Sequence, residues 1–253
     1  MGRISTNYYS IHPQTYDDQF WWKKDDIEFW QYILNPTTNS ILELAAGTGR
    51  LAHPLIIEGY DYTGLEISEN YCKHANSKLS HITTKERIIQ ADMRSFNFRK
   101  KYDKIVIPFN SLLHLLNEKD FFSTLDSIKK HMHNNSELYI DIFVPHSYYL
   151  NHKTKEPQKR VEFMNSLNQK ETIIKEILTY DSTNEIMHVT WLYESEKYIY
   201  NKFFFKMKVY YPDTMNRILI DSGFEILNLW GDYNQSDFDA NSNLQIYKCK
   251  KIL

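Results

Sequence analysis

From Ser40 onward the chain alternates short apolar runs with amphipathic ones. That rhythm restricts it to a parallel α/β sheet more tightly than any other feature. "ILELAA" precedes the helical "GRLAHPLIIEG", and "DYTGLEI" precedes "SENYCKHANSKLS". Next come strand "RIIQAD", strand "KIVIPF", helix "NEKDFFSTLDSIKKHMH" and strand "ELYIDIFV". The runs after Lys104 and Glu137 are apolar on both faces, as strands covered by helices on each side must be. "PDTMNRILIDSGF", with Pro212 near its first turn, reads as a further helix. "EILNLWGDY" and "NLQIYKCKKI" then close the sequence as two strands. Upstream, residues 13–35 read as helical, with Phe20, Ile27, Trp30 and Ile33 on an apolar face.

The rhythm breaks once. Residues 146–170 are polar and basic, and the stretch 153–160 within them, with Lys153, Lys155, Lys159 and Arg160, reads as a solvated loop and not an RNA patch. Three long strand-like runs follow, "ETIIKEILTY", "EIMHVTWLYE" and "KYIYNKFFFKMKVYY", and they predict an inserted antiparallel sheet. Strand periodicity puts Trp191 and Tyr193 on one face of it and His188, Thr190 and Leu192 on the other. The expected organisation is an N-terminal helical cap over 1–37, a core from 38–146 and 211–253, and an insert over 147–210.

A formal charge of −2 and a pI near 6.6 give no global field for nucleic acid or an acidic membrane. No apolar run approaches the roughly 20 residues that span a bilayer. "MGRISTNYYSIHPQ" lacks the apolar core of a secretion signal, so a cytoplasmic location is expected. Cys72 and Cys249 form neither a disulfide framework nor a metal-binding pair, and no metal site is expected. The 19 tyrosines exceed what a core needs, which suits either a ligand cavity or a compositional bias.

Gly47 and Gly49 stand two positions apart directly after a hydrophobic run, in a chain with only seven glycines. A strand that ends in such a turn and feeds a helix aims backbone N–H groups at a ligand. Taken alone, "GTGRLA" satisfies the loose dinucleotide fingerprint, a weak signal. Three acids narrow the choice. Glu43 lies within the strand, where a loop cradling pyrophosphate has no use for an anion and a cationic ligand does. Glu66 ends the second strand beside Ser68, a helix N-cap, where it can accept both hydroxyls of a ribose. Asp92 and Met93 end the third, placed for an adenine amino group and ring face. Each acid alone has an ordinary structural explanation. Their placement at successive strand tips, where open α/β sheets bind ligands, is what points to a site.

Together "ELAAGTGR", "GLEIS", "ADM" and "YDKIVIPFNSLLHL" resemble the class I S-adenosylmethionine-dependent methyltransferases from about Ser40 to the end of the chain. The resemblance implies a Rossmann-like seven-stranded sheet ordered 3-2-1-4-5-7-6, with strand 7 antiparallel and S-adenosyl-L-methionine as cofactor. It places Glu43, Ala45, Gly47, Thr48, Gly49 and Arg50 around the cofactor, together with Glu66, Ile67, Asp92, Met93 and Phe109. "YDDQF" resembles the N-terminal segment that closes over the cofactor, which adds Tyr16, with Tyr9, Trp21 and Trp22 as weaker members of the same cap. "S-x-x-H-L" at Ser111 to Leu115 is similar to the motif of sugar N,N-dimethyltransferases and related amine enzymes. It implies His114 as base or orienting group, with Asn110 beside it.

His114 suits the role because an unperturbed imidazole titrates near neutrality. His146, after the fifth strand, is a second acceptor-side candidate. Trp22, Ser111, Trp191 and Tyr193 complete the candidate acceptor surface. His131 and His133 read as the end of a helix, where histidine complements the helix dipole. Nucleic-acid amino-methyltransferases carry a different motif, Asn or Asp followed by Pro-Pro and an aromatic residue. Here the order is Ile107-Pro108-Phe109-Asn110. The expected function is methylation of a small molecule at nitrogen (an amine, aminosugar or heterocycle) by a monomer or homodimer. The alternatives are a tRNA or protein methyltransferase and a non-catalytic cofactor-binding partner.

Overall fold

The alternating segments pair side by side into one sheet in the computed structural model, which describes residues 10–35, 40–146, 150 and 156–252. The chain divides into two units, one of residues 1–24 and 145–210, the other of residues 25–144 and 211–253.

The larger unit holds strands β1 (Ile41–Leu44), β2 (Tyr62–Glu66), β3 (Ile88–Gln90), β4 (Tyr102–Ile107) and β5 (Met132–Phe143). Strands β10 (Phe224–Trp230) and β11 (Leu244–Lys251) complete its sheet. The order is β10-β11-β5-β4-β1-β2-β3, which for the core strands alone is 3-2-1-4-5-7-6. β1 through β5 pair in parallel, and β11 runs antiparallel to both β5 and β10. The expected topology is therefore present, terminal reversal included.

The helices of this unit are α2 (Ile27–Leu34), α3 (Ala52–Ile57), α4 (Glu69–Leu79), α5 (Glu118–Lys130) and α6 (Pro212–Asp221). Ser68 caps α4 by accepting from the Tyr71 N–H, as its position predicts. Asn117 does the same for α5 through the Asp120 N–H. Trp30, Leu34, Ile41, Tyr62, Val106 and Tyr139 pack as one buried cluster. Lys104 is buried in the sheet, donating to the Ile33 carbonyl at 3.0 Å and pairing with Glu137 at 2.9 Å. Burial alone would raise the Glu137 carboxyl. The Lys248, Tyr139 and Lys104 bonds more than offset this and hold it at about 2.

In the smaller unit, β6 (Gln158–Asn165), β7 (Lys170–Asp181), β8 (Ile186–Ser195) and β9 (Tyr198–Lys208) form an antiparallel meander with α1 (Pro13–Gln19). Its core gathers Ile11, Phe163, Ile174, Tyr193 and Phe203, with Tyr16, Val161 and Trp191 packed against them.

Three local expectations are corrected. Residues 13–35 are two helices, because their apolar residues serve two different cores. Phe20 packs against Tyr16 and Trp191 in the smaller unit, whereas Phe29, Trp30 and Leu34 are buried in the larger. The basic stretch before residue 170 contains a fourth strand, β6. Among the described residues it pairs only with β7, and its outward positions carry charge. Among these, Arg160 meets Glu176 at 3.2 Å and Lys159 pairs with Glu162. Lys153 and Lys155 lie outside the described residues. His131 caps α5, but His133 lies in β5, which begins at once at Met132. Among the described residues no helix is long and apolar enough to cross a membrane.

Candidate functional site

The site is built on the C-terminal ends of β1, β2 and β4. The turn after β1 runs through left-handed backbone at Ala45 (φ 57°), Gly47 (φ 58°) and Gly49 (φ 79°). The two glycines do different work. A Cβ on Gly47 would meet nothing within 4 Å, so this residue opens onto free space. A Cβ on Gly49 would sit 3.3 Å from the Ala75 Cβ, so this residue lets the turn approach α4. Thr48 between them is buried.

Glu66 closes the turn from the neighbouring strand. Its Oε2 accepts the Gly47 N–H at 2.9 Å and its Oε1 accepts the Ser68 N–H at 2.8 Å. Each carboxylate oxygen has two lone pairs, so acceptor capacity remains beyond these bonds. Glu66 is only 3% exposed, and burial raises its carboxyl despite the backbone donors. Ile67 follows, its carbonyl accepting from the Gln90 side chain at 3.2 Å.

Glu43, also buried, accepts the Tyr62 hydroxyl at 2.6 Å. Gly64, whose role sequence reasoning missed, makes this pair possible. It is the register partner of Glu43, and a Cβ there would stand 2.8 Å from the Tyr62 hydroxyl and 2.7 Å from the Ala46 Cβ. Burial pushes the Glu43 carboxyl up to about 7, partly offset by Tyr62 and Arg50 and reinforced by Asp26 and Glu66.

Asp26 is the other residue not foreseen. Its fully buried carboxylate takes a two-pronged grip from Arg50, at 2.6 and 2.8 Å, and a bond from the Trp30 indole at 3.2 Å. The available signal was an acid just before the apolar run of α2, a helix-start pattern. Asp26 spends its oxygens on Arg50 instead of capping that helix. The Arg50 guanidinium also lies 5.4 Å from the Phe109 ring centre. With Arg50 neutralised by Asp26, any negative charge of the site rests on Glu43 and Glu66, and both carboxyls are raised by burial.

Asp92 is engaged differently from its expected role. Arg94 grips its carboxylate through Nε and Nη2, the shortest contact being 2.6 Å, and Arg94 also reaches Asp120 at 3.1 Å. Burial would raise the Asp92 carboxyl, and these bonds more than reverse it. An incoming amino group must compete with Arg94. Met93 beside it is partly buried.

Beyond β4, Phe109 and Asn110 are both left-handed, at φ 51° and 62°. The Asn110 amide oxygen accepts the Phe143 N–H at 2.7 Å, which makes this side chain an anchor for the turn. A single 3-10 turn, Ser111–His114, follows. His114 is partly exposed by surface area, yet desolvation lowers its pKa to about 4. The imidazole is therefore neutral throughout the physiological range, not poised near its midpoint.

The remaining candidates belong to the smaller unit. Tyr16, Trp191 and Tyr193 pack in or against its core, Trp191 donating to Glu176 at 2.9 Å and Tyr193 to Gln19. Trp21 and Trp22 are exposed. The His146 Nε2 is buried without a partner among the described residues. Tyr9 lies outside them.

Residues 41–135 match a family model described as a methyltransferase domain. That segment of the chain is similar to methyltransferase domains. Over 97 residues it is 31% identical to the dTDP-3-amino-3,4,6-trideoxy-alpha-D-glucopyranose N,N-dimethyltransferase of Streptomyces venezuelae, a match covering 38% of this chain and 39% of that enzyme. The aligned part thus spans about two fifths of the relative's length. Solved structures similar to this chain include the CcbJ methyltransferase of Streptomyces caelestis (TM-score 0.75, 17% identity, 95% of this chain and 99% of that one). The sugar N-methyltransferase KedS8 of a Streptoalloteichus species is also similar (TM-score 0.71, 15% identity, 100% and 96%). At these identities the structures establish a shared fold across the chain.

Proposed function

We propose that this chain is an S-adenosylmethionine-dependent methyltransferase acting on a small molecule, with the nitrogen of an amine, aminosugar or heterocycle as acceptor. One observation carries the reading. Two buried carboxylates at adjacent strand tips, only partly compensated, flank a glycine turn that opens onto free space. That combination fits a cationic nucleoside and suits a pyrophosphate poorly. When bound, S-adenosylmethionine supplies a methyl group on a cationic sulfur for in-line displacement by the acceptor. Glu66 would hold the ribose hydroxyls on its remaining acceptor capacity. Glu43 would balance positive charge at the methionyl end, and Gly47 would leave room for close approach. Asp92 and Met93 are the proposed adenine-side contacts, and Phe109, its ring 5.4 Å from the Arg50 guanidinium, is a further proposed cofactor contact. The relative's name supplies the amino-sugar suggestion for the acceptor.

His114, neutral at working pH, would orient the acceptor nitrogen through a hydrogen bond and exclude water, since most of the acceleration in such a transfer comes from alignment. His114→Ala is expected to lower turnover at least tenfold while S-adenosylmethionine affinity stays within about threefold. Because the His114 pKa is depressed to about 4, the rate profile between pH 5.5 and 8 should keep its shape in this variant. Loss of a limb near pH 6.5 would instead make His114 a titrating base. To test the function itself, the protein is incubated with methyl-labelled S-adenosylmethionine and a cell extract, with and without nuclease or protease. Label in small molecules insensitive to both enzymes supports the proposal. Label in RNA or protein overturns the acceptor class.

A further inference from the structure

The turn after β4 is the most strained stretch of the site. Two consecutive non-glycine residues take left-handed backbone there, and one of them is Phe109, whose side chain gains nothing from that region. Such backbone persists only where its surroundings hold it. The ladder offers no hold, because Pro108 has no N–H and β4–β5 pairing ends at Ile107 with Ile140.

The next residue of β5 takes over. Asp141, 1% exposed, accepts the Phe109 N–H on its Oδ2 at 3.0 Å and the Asn110 N–H on its backbone carbonyl at 3.0 Å. Tyr233, in the segment between β10 and β11, donates its hydroxyl to the same Oδ2 at 2.8 Å. Phe143, two residues beyond Asp141, donates its N–H to Asn110.

We propose that Asp141 and Tyr233 form a clamp that fixes the Phe109–Asn110 turn and thereby aims the Ser111–His114 segment, which makes both of them positioning residues. The link to methyl transfer rests on the function proposed above. The clamp itself does not. Asp141 supplies the acceptor, and Tyr233 keeps the oxygen pointed at the turn. The phenol retains its proton, since burial and the adjacent Asp141 charge both raise its pKa, and so remains a donor to the Asp141 oxygen.

The test uses the full chain without ligand. Amide exchange at Phe109 and Asn110 and the imidazole NMR signal of His114, assigned with His114→Ala, are followed in Asp141→Ala, Asp141→Asn and Tyr233→Phe. Expected are at least tenfold faster exchange at the two turn amides and a shifted His114 signal in Asp141→Ala. Ile105 and Val106 should stay at wild-type rates. Asparagine, which retains an acceptor oxygen, should restore most of both readouts, and Tyr233→Phe should fall between. Unchanged turn amides in Asp141→Ala would overturn the clamp, as would loosening spread evenly over β4. Should Asp141→Ala fail to fold, Tyr233→Phe decides, since it removes a single hydroxyl. S-adenosylhomocysteine binding to the wild type is measured in parallel. Its absence would count against the cofactor site while leaving the exchange result to judge the clamp.

Discussion

Glu66→Ala is expected to weaken S-adenosylmethionine binding by roughly 10- to 150-fold, about 1.5–3 kcal/mol, as measured by calorimetry. Two losses add. The hydroxyls of a bound ribose would lose charge-assisted acceptors, and the Gly47 and Ser68 N–H groups that Glu66 now satisfies would be left unpaired. Glutamine should substitute poorly. Both carboxylate oxygens accept a backbone N–H, so an amide necessarily sets its NH2 against one of those donors. Comparable weakening by Glu66→Gln and Glu66→Ala is the expected pattern. Full affinity in Glu66→Gln would mean that only one oxygen matters.

Glu43→Gln should change stability and binding in opposite directions. Its carboxyl is raised to about 7 from an ordinary 4.5, so the native chain binds a proton more tightly than the unfolded chain across that window. The contribution of Glu43 to stability is thus fully present below about pH 4.5 and is lost as pH rises through 7. The amount is on the order of 2–3 kcal/mol. Glutamine can still accept the Tyr62 hydroxyl and carries no charge to desolvate. The ligand-free variant should melt with the wild type near pH 4.5 and above it at pH 8. Cofactor affinity at pH 8 should fall about tenfold, because a buried charge kept at a cost to stability is one that the ligand uses. Parallel melting curves at all pH values would show that Glu43 carries no such penalty.

Much of this was legible in the sequence, and the gaps have physical causes. Alternation announced a parallel α/β sheet, while the strand order with its reversed last strand was what the family resemblance implied, and the sheet has that order. Glu43, Glu66 and the glycines were readable because each sits at a fixed offset from an apolar run. Asp26 was not, because its partner Arg50 is distant in sequence and its local pattern reads as an ordinary helix start. Gly64 was hidden for a similar reason. What it accommodates, the Tyr62–Glu43 bond, exists only across the β1–β2 pair. Strand β6 was missed because an edge strand with one inward face shows too few apolar residues to separate it from a loop. The neutrality of His114 is a matter of desolvation, which residue type alone does not reveal.

A crystal structure with S-adenosylhomocysteine decides whether Glu43 and Glu66 grip a nucleoside of this kind. Expected are the ribose hydroxyls on the Glu66 carboxylate, the nucleoside passing Gly47 and the amino-acid end toward Glu43. A nucleoside bound elsewhere, or Glu66 making no bond to it, would overturn the proposed site.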